Sequence, residues 1–156
     1  MRCLMRLWCL CLLCTAFAAH AAAPPLQLRS IQGEFADIKA RVVMALENRG
    51  LVLNYTARVG AMLERTGRDL GRDHRIYDKA EVLEFCSAVL SRETMEADPR
   101  NIVYCPYSIA VYTLPQAPGT VYLAYRTVAA AADDRSVRAL RAIDELLAGV
   151  VSEALQ

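Results

Sequence analysis

Apolar residues recur along this chain with two different periods, and the switches between them mark its elements. Leu26-Gln27-Leu28-Arg29-Ser30-Ile31 alternates apolar with polar, the pattern of a short strand, and Pro24-Pro25 forms a stiff lead into it. From Glu34 the period lengthens. Phe35, Ile38, Val42 and Leu46 fall three or four apart among Asp37, Lys39, Arg41 and Glu47, so an amphipathic helix is expected, with Gly50 as its left-handed stop. Alternation returns at Leu51, Leu53, Tyr55, Ala57 and Val59, a strand with one apolar face. Gly60 to Gly67 reads as a helical turn or two, followed by a charged loop from Arg68 to Arg75.

Ile76-Tyr77 is a short extended piece, and Asp78 can cap what comes next. Ala80, Leu83, Ser87, Leu90 and Thr94 repeat at helical spacing, which predicts a helix from Lys79 to Glu96, although Val82-Leu83-Glu84-Phe85 also fits an extended segment. Asp98-Pro99 ends it, because the residue before proline is pushed out of the helical region. Asn101 to Leu114 is rich in residues that suit a pleated surface and is expected to be a strand, with Pro106 marking a bulge or an edge. Pro115 to Gly119 is turn chemistry, and Val121 to Arg126 returns as the hairpin partner. Val137, Leu140, Ile143, Leu147 and Val150 then form the stripe of a C-terminal helix over 133–155, capped by Asp133 or Asp134. Helices on one face of a mainly antiparallel sheet make an α+β fold.

Composition changes the picture at the N-terminus. Arg2 and Arg6 precede the apolar run Leu7 to Cys14, and small residues including Ala19-His20-Ala21 follow, the layout of a secretory signal peptide over 1–21. The run is shorter than the roughly 20 residues of a spanning helix. Residues 22–30 serve as a linker and the start of the first strand, and 31–156 form a single domain. Clipping removes two arginines and no acidic residue, so the formal charge moves from +1 to about −1 and leaves no basic field for nucleic acid. The expected location is periplasmic or secreted, with no membrane association after cleavage.

Clipping also reduces six cysteines to two, Cys86 and Cys105, in a compartment that oxidises thiols. Three readings fit the pair. A disulfide is worth roughly 3 kcal/mol for a loop of this length. A thiol pair suits redox exchange or a soft metal such as Cu(I), and buried inert thiols are the third reading. The spacing is no Cys-x-x-Cys, so a thioredoxin motif and a zinc ribbon are unsupported. Tyr104, Tyr107 and Tyr125, with Arg126 and His74, are the other pocket candidates. Tyr112 and Tyr122 belong to the same alternating set, for which ordinary sheet packing is the plainer account. Arg65, Arg68, Arg72 and Arg75 interleave with Glu64, Asp69 and Asp73, which describes either a solvated face or an anion contact at a pocket mouth. Gly67 and Gly71 make no phosphate loop, since no Gly-Lys-Ser/Thr follows. No catalytic set is discernible. The expected function is a non-enzymatic module without a cofactor that binds a small ligand or a partner protein, with the cysteine pair at or under the site. The alternative is a redox or metal-handling accessory protein that uses the sulfurs directly, for instance with Cu(I).

Cys86-Ser87-Ala88-Val89-Leu90 ahead of a helical stretch, and Cys105-Pro106 opening a late strand, resemble the bacterial domain of unknown function 302 family, whose members often show Cys-Asn-Pro and a Pro-Cys pair. Here Ser87-Ala88 stands for Asn-Pro, and the cysteine precedes its proline, as in a variant subgroup marked by Phe-Cys-Ser-Ala and Cys-Pro-Tyr. The resemblance spans about Ile31 to Thr127. It implies a TATA-binding-protein-like β-α-β(4)-α arrangement and allows a homodimer, and it brings no catalytic residue.

Overall fold

The computed structural model describes residues 26–72, 74–128 and 134–156, with the side chains of 134 and 135 set aside. The expected leader, the Pro24-Pro25 lead-in and the Asp133 or Asp134 cap lie outside the described residues. The elements run β1 (Leu26–Gln32), α1 (Phe35–Glu47), β2 (Leu53–Ala57), α2 (Val59–Asp69), β3 (Lys79–Phe85) and α3 (Ala88–Ala97). A 3-10 helix (Pro99–Tyr104), β4 (Tyr107–Thr113), β5 (Thr120–Arg126) and α4 (Asp134–Ala154) complete the chain. This is the expected β-α-β(4)-α order with α2 and α3 set between strands.

The five strands form one antiparallel sheet in the order β1-β5-β4-β3-β2. Register decides the faces. Leu83 pairs with Ile109, Phe85 with Tyr107, and Val111 with Leu123, and all six are buried on the face that carries the helices. Ile38, Val42 and Leu46 of α1 and Leu140, Ile143, Leu147 and Val150 of α4 close over them in one core. α1 ends as expected at Gly50 (φ +69°), where the Gly50 and Leu51 N–H groups reach the Glu47 and Leu46 carbonyls at 2.8 and 3.0 Å. On the opposite face Tyr112 stacks on Tyr122, ring centroids 5.1 Å apart, and meets Tyr77 edge-on at 5.5 Å.

Two expectations are corrected. Lys79 to Glu96 is not one helix but β3, which takes the extended alternative at Val82 to Phe85, a corner at Cys86-Ser87, and then α3. β3 is an inner strand, hydrogen-bonded to both β2 and β4, and those two ladders outweigh the helical spacing of Ala80 and Leu83. Ser87, extended at φ −102°, caps α3 by accepting the Leu90 N–H at 3.4 Å. Asn101 to Leu114 likewise splits, because Pro99 starts a 3-10 helix that Asp98 caps by accepting the Arg100 N–H at 2.9 Å. Buried Asn101 fixes that helix by donating to the Thr94 carbonyl at 2.8 Å and to Ser136 Oγ at 3.3 Å. Ile102 and Val103, β-branched as a strand prefers, stay 63% and 76% exposed. Pro106 precedes β4, through a cis Cys105-Pro106 bond, and does not interrupt it.

Candidate functional site

The β3–β4 register brings the two cysteines together. Phe85 and Tyr107 are the last paired residues of the ladder, their rings edge-to-face with centroids 6.0 Å apart. Cys86 leaves β3 immediately after that pair, and Cys105 arrives from the 3-10 helix, its N–H on the Ile102 carbonyl at 3.1 Å. The two side chains meet at this corner, half-buried and as free thiols.

Hydrogen bonds extend the corner into α3. Ser91 Oγ–H reaches Cys105 Sγ at 3.8 Å and lies 3.0 Å from Tyr107 Oη, so one hydroxyl links the sulfur to the buried tyrosine. Burial pushes the Cys86 thiol up to about 11, helped by its hydrogen bond to the Cys105 thiol and by the charge of Cys105 and Glu84, while the Tyr107 backbone N–H pulls the other way. Burial also raises the Tyr107 hydroxyl, against the opposing bond from Ser91. Cys86 is thereby held towards the thiol and away from the nucleophilic thiolate. Among the described residues no cluster of three or more His, Cys, Asp or Glu is placed to hold a metal, and no helix is long and apolar enough to cross a membrane.

A cavity of about 360 Å³ opens beside the corner, its wall including Tyr104, Pro106, Tyr107, Arg126 and Leu147. Three of the five expected pocket residues therefore share one site. Tyr125 lies elsewhere, in a cleft of about 270 Å³ with Arg29 and Val151, its hydroxyl raised by burial. His74 lines a third cavity with Arg68, Arg72 and Arg75. The alternating tyrosines are divided by the pleat, Tyr107 and Tyr125 facing the helices and Tyr112 and Tyr122 the other side. Ser91 and Leu147 were not foreseen as site residues. Ser91 is one helical turn after its cap Ser87, a spacing that carries meaning only once α3 is known to begin there.

The family model for the domain of unknown function DUF302 matches residues 27–154. The chain belongs to this family. Among solved structures it is similar to the uncharacterized conserved protein DUF302 from Bacillus stearothermophilus, with a TM-score of 0.70 and 15% identity, over 86% of this chain and 100% of that one. At that identity the likeness establishes the fold. Comparison with curated proteins found no match. In this chain the corner between β3 and β4 lies at the end of the β3–β4 ladder, next to the cavity.

Proposed function

We propose that this DUF302 chain is an exported, periplasmic or secreted, non-enzymatic module that binds a small ligand or partner in the Tyr104–Tyr107–Arg126 cavity. Cys86 and Cys105 form a disulfide beneath it. The observation that carries the reading is the position of the 104–107 segment: it walls the cavity with Tyr104, Pro106 and Tyr107 and carries Cys105, which meets Cys86. A bond at that point holds the wall against β3. Its formation removes two protons and two electrons, which the thiol–disulfide oxidants of an exporting compartment accept. Arg126 supplies a cation and Val103 and Leu147 supply apolar surface, a lining that suits a small molecule with an acidic or polar group.

The alternative, redox exchange or Cu(I) at the same two sulfurs, calls for a thiolate, which burial disfavours at Cys86 in the reduced chain. The experiment is a thiol count with metal analysis on protein recovered from the periplasm of an expressing cell. Clipped protein with no free thiols before reduction, two after it, and no copper is expected. Two reactive thiols, or one copper per chain, would replace this reading with the accessory-protein alternative. An uncut chain in the cytosol would remove the basis for both.

A further inference from the structure

We infer that the cavity between α2 and the chain returning from it to β3 is a second binding site, for a small organic phosphate monoester. The cavity, of about 380 Å³, shares no lining residue with the one beside the cysteines, so it stands or falls separately. Its construction starts from two glycines. Gly60, Leu63, Glu64, Gly67 and Arg68 fall on one face of α2, and all five line the opening. A Cβ on Gly60 would lie 2.8 Å from the Ala80 backbone N, so that end of the helix is laid directly on β3. At the other end Gly71, at φ +64°, reverses the chain, and the Arg72 N–H bonds to the Gly67 carbonyl at 2.8 Å. The reversal brings Arg72, Arg75 and Tyr77 back alongside the same helix face.

α2 buries none of its residues fully, so its contribution to the core is small. What it does instead is frame a cationic opening. Among the described residues, three guanidiniums and His74 line the cavity against one carboxylate, Glu64. Glu64 accepts from Arg68 Nη1 at 3.0 Å, and Asp78, outside the lining, accepts from Arg75 at 3.3 Å. Each bond uses one of five guanidinium donors and steadies the rest. Arg72 has no carboxylate partner among the described residues. The surplus of two positive charges among the described lining residues matches a phosphate monoester, which carries about −1.5 to −2 at neutral pH. Leu63, Ile76 and the Tyr77 ring give its organic part an apolar floor.

Phenyl phosphate, with inorganic phosphate for comparison, is titrated calorimetrically into the purified protein in 0.15 M salt (about the physiological level). Saturable one-to-one binding of phenyl phosphate is expected, tighter than that of inorganic phosphate. Arg72→Gln should weaken it at least about tenfold, the loss of one charge-assisted hydrogen bond. Arg92→Gln, the same charge change on exposed α3, should leave it unchanged, as should Cys105→Ser. No saturable binding, indifference to Arg72→Gln, equal weakening by Arg92→Gln, or no preference over inorganic phosphate would each overturn the assignment.

Discussion

At the Cys86 sulfur, burial, the neighbouring thiol and the Glu84 charge favour the protonated form, and the Tyr107 N–H alone favours the thiolate. The folded chain therefore holds this proton more tightly than the unfolded one. The reduced protein's stability from this group is full below the ordinary value of 9.0 and is lost as pH rises towards about 11. In reduced protein, alkylation of Cys86 by iodoacetamide at neutral pH should be roughly ten- to a hundredfold slower than in the unfolded chain, the lower figure allowing for solvent at a half-exposed group. Equal rates would contradict the environment described. Tyr107→Phe removes the hydroxyl that meets Ser91 at 3.0 Å, at a cost of about 1 kcal/mol in urea unfolding, because Ser91 keeps its contact with Cys105.

Among the elements, the β3–α3 corner and the 3-10 helix decide the site, and both were the least legible parts of the sequence. α1 and α4 could be read directly because each buries one face, and the apolar period reports that face. β5 was legible from its turn and its strand-favouring residues. In β3, Ala80 and Leu83 happen to continue, with Ser87 and Leu90 beyond the strand, the spacing of one helical face. Ile102 and Val103 read as strand because their side chains favour it, while Pro99 and buried Asn101 hold the backbone otherwise. The two cysteines were visible as a pair, but their meeting depends on the Phe85–Tyr107 register, which no local pattern encodes. Leu83→Ala, in the centre of the sheet, should cost about 2–5 kcal/mol, and Ser87→Ala about 0.5–2 kcal/mol through the lost cap. Val103→Thr, on the exposed 3-10 helix, should stay within about 0.5 kcal/mol. A large loss at Val103 by denaturant unfolding would show that this segment is packed as a strand after all.

Over the whole molecule, the helix layer is tied by Glu153 of α4, which accepts from Asn48 Nδ2 at 2.7 Å and from Arg49 beyond the end of α1. The Asn48 bond and then the Arg49 guanidinium hold its carboxyl below the usual range. The folded value is depressed, so the stabilisation is present above the ordinary carboxylate range and is lost as pH falls through the folded value. Glu153→Gln should therefore lessen the fall in melting temperature between neutral and acid pH, and an unaltered acid limb would contradict it. The cavity lies at the end of the sheet marked by the Phe85–Tyr107 pair, and there the account rests on the sulfur pair. Its most direct test is the melting temperature of the clipped, periplasmic protein with and without reductant, beside Cys105→Ser. The parent should lose several degrees on reduction, in keeping with roughly 3 kcal/mol of stabilisation, and the variant should ignore the reductant. A parent that melts at the same temperature in both conditions would contradict the disulfide and the role given to it.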